Sequence, residues 1–225
     1  MILIGDKINT KLSGNGLKKH RQKKRILNLL YKHDILSGPE LSKRIGVSLP
    51  TALSLLNELS DLKFVEVRGA GESIGGRKPT MFGLSNNSIY VIACEIERYQ
   101  GKISIYNSHN QSLSPILYFE TSIDDDELVD KIFFNAQELI EKNNIKEDRI
   151  LGIGVIMPGL IDEEKGINHT IKNSEYRNVK ERLESKFDNL VYINNDARMQ
   201  AYGEYIFGEA RGHNNAIVVT WSWGV

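Results

Sequence analysis

Ser73-Ile74-Gly75-Gly76-Arg77-Lys78-Pro79-Thr80 divides the chain into two parts of opposite character. Before it lies a short, basic, helix-patterned segment. After it lies an α/β pattern that is acidic. Two adjacent glycines open backbone angles that other residues resist. Pro79 stiffens the exit, and Arg77-Lys78 add two adjacent positive charges. A flexible, cationic, proline-ended strip suits the tip and return strand of a DNA-binding wing. It also suits a plain Gly-rich linker, and the flanking sequence has to separate the two.

The charge split is the first separating observation. The net charge over 225 residues is zero, yet residues 1–80 hold 15 Lys+Arg against 7 Asp+Glu, and the remainder holds 14 against 22. A basic module joined to an acidic one implies that only the first meets a polyanion. The length suits two domains, and 40% apolar content is enough for buried cores. The single Cys94 excludes an internal disulfide framework and a cysteine-rich zinc cluster. No apolar run reaches the roughly 18 residues of a membrane span. The N-terminus lacks a secretory pattern, so a cytoplasmic protein without a membrane partner is expected.

Residues 1–17 read as loose. Lys18 to Arg25 carries six Lys/Arg in eight positions and runs into Ile26, Leu27, Leu29, Leu30 and Tyr31. That is a helix with a basic start and an apolar face. Such a run is either a solvated face or a phosphate-contacting surface, with Lys23 and Lys24 as the candidate contacts. Ser37-Gly38-Pro39-Glu40 is a capping box with Pro in the first turn. It opens a short helix from Pro39 to Ile45, which Gly46 can end. Ser48 then caps a second helix with Pro50 in its first turn. Ala52, Leu55, Leu56 and Leu59 fall at helical spacing and face a core. Ser48, Pro50, Thr51 and Ser54 are left near the outward N-terminal half, the part that enters a major groove. Leu49 and Leu53 occupy places where a polar side chain would be more informative about bases. Phe64–Val67 and Met81–Leu84 read as wing strands, with Arg77 and Lys78 between them. The expectation is a winged helix-turn-helix over 1–84; the alternative is a three-helix protein-interaction module.

The second module, 88–225, opens on two strands, Ile89–Ile96 and Gly101–Tyr106, with a third over Leu113–Glu120. Asp124 is placed to cap a long helix whose stripe is Leu128, Ile132, Phe133, Ala136, Leu139 and Ile140. Ile150–Met157 is an apolar strand with interior glycines, closed by Pro158-Gly159. Those glycines admit the close approach of a ligand or of a neighbouring strand. A helix near 179–187 and a strand over Val191–Ile193 lead to Asn194-Asn195-Asp196, which opens another helix. Asp196 there is either a plain cap or a carboxylate that takes a ligand hydroxyl or acts as a base.

The order of these pieces resembles the ROK family (repressors, open reading frames and sugar kinases) over nearly the whole chain. Three stretches carry the resemblance. They are the wing Gly75-Gly76-Arg77-Lys78-Pro79, the run Gly152–Gly159 followed by Gly166, and Asn195-Asp196-Ala197 with Ala201, Glu204, Phe207-Gly208 and Ala210-Arg211-Gly212. The repressor branch joins a winged helix-turn-helix to an actin-like, ribonuclease H-like sugar-kinase fold, so that α/β fold is expected. The resemblance places Asp196 where the kinases keep the base that grips a sugar hydroxyl, Asn195 beside it, and Asn173 in the sugar-contacting loop.

Two departures argue against an enzyme. Glu95-Ile96-Glu97-Arg98-Tyr99 stands where the kinases resemble DxGGT, and Glu97 and Arg98 replace the glycines whose amides would cradle phosphate. Thr220–Val225 stands where a second glycine-rich loop is expected. The chain is expected to stop after its first lobe, as an experimental piece or a shortened gene. The family's Cys/His zinc cluster and much of its oligomer interface would lie beyond it, so no cofactor is expected here. The implied function is a sugar-responsive repressor, dimeric or larger, that binds operator double-stranded DNA and a sugar or sugar-phosphate inducer. The alternatives are a sugar kinase and a DNA-binding module without a sugar response.

Overall fold

The structure, a computed structural model, describes residues 14–72 and 78–220. The chain forms two compact units. One takes the chain up to Tyr90 with Tyr106–Gln111 and Asp148–Leu151. The other takes Val91–Ile105, Ser112–Glu147 and Gly152 onward.

In the first unit, helix α1 runs Gly14–His33 and begins within the stretch the sequence leaves loose. Ile26, Leu27 and Leu30 recur at helical spacing and are buried. Strand β1 (Ile35–Ser37) follows, then helix α2 (Gly38–Ile45). The capping box is complete. The Ser37 amide donates to Glu40 Oε2 at 2.8 Å, and the Glu40 amide donates to Ser37 Oγ at 3.4 Å. Gly46, at φ 73°, ends the helix in the left-handed conformation. Helix α3 (Leu49–Asp61) is capped by Ser48 and buries Ala52, Leu55, Leu56 and Leu59. Strands β2 (Val65–Ala70) and β3 (Thr80–Leu84) make an antiparallel pair. The Gly71 amide donates to the Pro79 carbonyl at 2.9 Å and closes that pair. β1 pairs with β3, so the sheet order is β1-β3-β2. The three residues of β1 carry no readable period, which is why the sequence shows only two strands. Side chains from all three helices and all three strands form one core. Each fully buried Leu or Ile there contributes about 1.5–3 kcal/mol. Helix, β1, helix-turn-helix and hairpin in this order make a winged helix-turn-helix.

The second unit is built on a five-stranded sheet of order β10-β7-β4-β5-β6. Its strands are β4 (Tyr90–Ile96), β5 (Gln100–Asn107), β6 (Leu117–Glu120), β7 (Ile150–Met157) and β10 (Leu190–Asn195). β5 and β6 are antiparallel, whereas β7 and β10 are parallel. A parallel pair needs a crossover. It is supplied by the small antiparallel pair β8 (Ile161–Asp162) and β9 (Ile167–Asn168) and by helix α5 (Val179–Glu184). α5 lies against β10 and against helix α4 (Leu128–Lys142). Phe133 of α4 meets Phe187 edge-on at 5.1 Å. Helix α6 (Asp196–Phe207) follows β10 directly.

The start of α4 differs from expectation. Asp124 accepts from the Lys172 amide and pairs with its ammonium, both at 3.0 Å. The neighbouring Asp125 takes the Glu127 amide at 2.9 Å, together with Thr121 Oγ1 and Lys131 Nζ. The charge of Lys172, 48 residues away, draws the Asp124 carboxylate off, and α4 starts after Glu127 without a side-chain cap.

Among the described residues no helix is long and apolar enough to cross a membrane.

Candidate nucleic-acid interface and effector-binding residues

The outer face of α3 comes from residues the core does not use. Ser48, Pro50, Thr51 and Ser54 are all exposed, with Leu49, Leu53 and Asn57 beside them. The Ser48 and Thr51 hydroxyls share a hydrogen bond of 2.8 Å, and Ser48 Oγ also accepts the Thr51 amide at 3.4 Å. The cap therefore fixes two of the four predicted contact residues in one small cluster at the helix N-terminus, where amide groups favour a phosphate. Lys78 is exposed at the foot of the wing. Arg77 lies outside the described residues.

Lys23 corrects the expectation for the basic run. Its side chain is 2% exposed, and its ammonium pairs with Glu58 of α3 at 2.7 Å. Lys19 meets the same carboxylate at 2.6 Å. A buried, paired ammonium cannot reach a DNA phosphate. The signal was present, since Lys23 sits three, four and seven residues before Ile26, Leu27 and Leu30, in line with the apolar stripe. Hydrogen bonds from Lys19 and then Lys23 hold the Glu58 carboxyl below the usual glutamate range. Lys24, one position on, is exposed and keeps its predicted place on the solvent face. Arg25 caps the end of α2 by donating to the Arg44 and Ile45 carbonyls at 3.1 and 3.3 Å.

In the second unit, the parallel register places Asn195 opposite Met157, beside the Pro158-Gly159 turn. Asn195 Nδ2 donates to the Gly159 carbonyl at 3.2 Å. Its Oδ1 accepts the Arg198 amide at 3.0 Å, so Asn195, and not Asp196, caps α6. Among the described residues Asp196 Oδ1 accepts only the next amide, Ala197, at 2.8 Å, and the side chain is half-buried. One carboxylate oxygen thus remains available to a hydroxyl donor. Gly159 has φ 125°, and a Cβ there would stand 2.5 Å from Asn168 Oδ1. The turn is closed to any larger residue by its own loop. Gly152 of β7 resolves the other open reading: a Cβ would meet the Leu190 carbonyl at 2.5 Å, so a neighbouring strand is what approaches there. Asn173 is exposed and accepts the Glu175 amide at 3.1 Å, a local turn bond. The structure brings Asn195, Asp196 and the Pro158-Gly159 turn together; the bond of Asn173 does not reach them.

The run 95–99 is a tight connection between β4 and β5. The Glu97 amide donates to the Gln100 carbonyl at 2.8 Å. The Glu97 carboxylate is taken by Lys102 and Gln100, and the Lys102 bond is the main reason its pKa lies below the ordinary value. Glu95 is 3.6 Å from the same ammonium. The expected phosphate-repelling carboxylate is therefore already neutralised by its own strand. The Glu97 amide of this turn is itself spent on the Gln100 carbonyl.

Comparison with known proteins follows this division. Residues 19–66 match the model for a winged helix-turn-helix DNA-binding domain, and residues 118–225 match that for the ROK family. The chain thus carries a ROK family domain behind a winged helix-turn-helix. It is 31% identical over 214 residues to the xylose repressor of Bacillus spizizenii, covering 90% of this chain and 53% of that protein. The N-acetylglucosamine repressor of Escherichia coli O6:H1 is 19% identical, with 86% and 48% covered. A solved ROK family transcriptional regulator, a homologue of the E. coli Mlc protein, superposes with a TM-score of 0.64 at 21% identity, covering 85% of this chain and 49% of that one. That likeness shows the fold, with its actin-like lobe.

The chain spans about half the length of the curated relatives it matches. The ROK match includes Asn173, Asn195, Asp196 and the Pro158-Gly159 turn, whereas the Glu95–Tyr99 connection lies ahead of it. The winged-helix match includes Lys24, Ser48, Pro50, Thr51 and Ser54 and ends within β2, ahead of Lys78.

Proposed function

We propose that this chain is the DNA-binding and effector-sensing part of a sugar-responsive transcriptional repressor. Residues 1–84 bind operator double-stranded DNA, and 88–225 form the first lobe of the sensor. The reading rests above all on one observation: a capped, outward-facing α3 stands in the same chain as a ROK domain. The named relatives support it, since those at or above 30% identity are xylose repressors. Xylose is therefore the first inducer to test, with N-acetylglucosamine second.

In this reading the N-terminal half of α3 enters the major groove with Thr51 and Ser54. Lys24, Lys78 and Arg77 supply phosphate or minor-groove contacts. Asp196 and Asn195 take the sugar hydroxyls beside the Pro158-Gly159 turn, with Asn173 as a further contact. Sugar shifts the population between DNA-competent and DNA-incompetent arrangements of a homodimer or larger homo-oligomer. The chain transfers no phosphate, because the closed Glu97–Gln100 connection offers no glycine cradle for ATP.

The test is selection of duplexes from a randomised pool, followed by titration of the winning duplex with xylose and other sugars. Enrichment of an inverted repeat, with release by one sugar class, is the expected result. Failure to enrich any sequence overturns the operator reading. Sugar-dependent ADP formation overturns the non-enzymatic one.

A further inference from the structure

α3 ends in a way that its own sequence does not support. The Leu62 amide bonds to the Glu58 carbonyl at 3.2 Å, and the next two amides fold back onto Ser60 and Leu59, each at 2.9 Å. Lys63 between them has φ 62°, a conformation that a residue with a Cβ seldom adopts. Gly is the usual choice at such a helix end. A group outside α3 adds to these backbone bonds.

That group is Arg149. It lies in the single 3-10 turn Glu147–Arg149 that precedes β7. Its Nη2 donates to the Leu62 carbonyl at 3.0 Å, across 87 residues of sequence. Its Nη1 donates to the Ser88 carbonyl at 3.4 Å, just ahead of β4. Its guanidinium carbon stands 4.6 Å from the centre of the Phe64 ring. The side chain is half-buried. A helix C-terminus carries unpaired carbonyls and partial negative charge, and a planar cation answers both. Stacking on Phe64 fixes the plane of the fork. One side chain thus ties the end of α3 to the segments that open β4 and β7.

We propose that Arg149 is a positioning residue for DNA reading: it sets the angle at which α3 presents Thr51 and Ser54, without touching DNA itself. The inference rests on α3 being the DNA-reading helix. It assigns a role in operator choice to a residue far in sequence from the winged-helix domain. Gln at 149 loses the charge and the fork. Lys keeps the charge but cannot donate to two carbonyls in one plane while stacking on a ring. Both variants should therefore fail alike, which separates positioning from simple long-range attraction to DNA.

The experiment compares the unsubstituted chain with Arg149→Gln and Arg149→Lys. The DNA probes are the duplex that the unsubstituted chain selects from a randomised pool and a scrambled duplex of equal length. Both variants should bind the selected duplex about tenfold more weakly or worse. Affinity for the scrambled duplex should stay near that of the parent, so the ratio between the two collapses. Amide exchange at Leu62, Lys63 and Phe64 should quicken in both variants while that of the β7 amides does not. Full rescue by Lys would reduce Arg149 to a charge and overturn the proposal. So would an unchanged binding ratio, or unchanged exchange at the end of α3. Should the parent select no duplex at all, the repressor reading fails, and the exchange measurement still decides whether Arg149 holds α3.

Discussion

α3 and α6 have similar lengths and opposite dependence on their surroundings. α3 is amphipathic, and its four buried residues are set in the core of the first unit. α6 buries none of its residues among those described, and Tyr202, Tyr205 and Phe207 are exposed. Both begin with a side-chain cap, Ser48 in one and Asn195 in the other. A cap settles where a helix starts; burial settles how firmly it is held. α3 is a rigid platform for contacts on its outer face. α6 is held through its cap and its junction with β10, and only part of its apolar surface is covered.

The sharpest way to break this comparison is to remove a large side chain from each helix. Leu56 is fully buried, so Leu56→Ala should destabilise the first unit by about 2–5 kcal/mol through lost transfer energy and a cavity. Tyr205→Ala should change stability by about 0.5 kcal/mol or less. Urea unfolding followed by circular dichroism measures both. Equal losses would show that α6 is packed as firmly as α3.

Two adjacent lysines of α1 give the next contrast. Lys23→Gln leaves the Glu58 carboxylate without its buried partner and should cost about 1–3 kcal/mol. Lys24→Gln should leave stability unchanged. It should flatten the slope of log affinity against log salt by about 0.9 if Lys24 neutralises one phosphate. A stable Lys23→Gln with a flattened slope would restore Lys23 to the DNA contacts.

Acid unfolding tests the same pair from the other side. The folded pKa of Glu58 is lowered, first by the Lys19 hydrogen bond and then by that of Lys23. A lowered carboxylate contributes stability that is complete above its unfolded value and is lost as pH falls through the folded one. Glu58→Gln should therefore be less stable than the parent at neutral and alkaline pH, and the gap should close as pH falls through the acid range. Parallel pH curves for parent and variant, measured by thermal unfolding, would remove Glu58 from the acid limb.

The winged helix-turn-helix was legible because its signals are local. Ser37 to Glu40, Gly46, Ser48 with Pro50, and the spacing of Leu55, Leu56 and Leu59 each fix one boundary or one face. β1 was not legible, since it becomes a strand only by pairing with β3. Lys23 was misread because composition spoke louder than register: six cations in eight positions suggested a surface, while its spacing to Ile26 and Leu30 already placed it inside. Asp124 has the spacing of a cap for α4 but is spent on Lys172, and the cap reading of Asp196 falls to its neighbour Asn195. Which of two neighbouring side chains is free to cap depends on distant partners, Lys172 for Asp124 and the Gly159 carbonyl for Asn195. The contact between Asn195 and the Pro158-Gly159 turn follows from β10 lying parallel to β7, which no local pattern announces.

The smallest expected effect on stability is the most informative about the effector site. Asn195→Ala loses the α6 cap and the bond to the Gly159 carbonyl, and should cost about 1 kcal/mol. Asp196→Asn keeps an acceptor for the Ala197 amide, makes no other protein bond fail, and should shift stability by about 0.5 kcal/mol or less. Thermal unfolding of the two variants separates these costs. If Asp196 grips a sugar hydroxyl, the same silent substitution should abolish release of the selected duplex by sugar without weakening DNA binding. Asp162 serves as the control, because its carboxylate is already spent on Lys165 and Asn there should leave sugar release intact. An Asp196→Asn protein that is destabilised as much as Asn195→Ala, and still releases DNA at the usual sugar concentration, would make Asp196 a structural residue and move the effector site away from the start of α6.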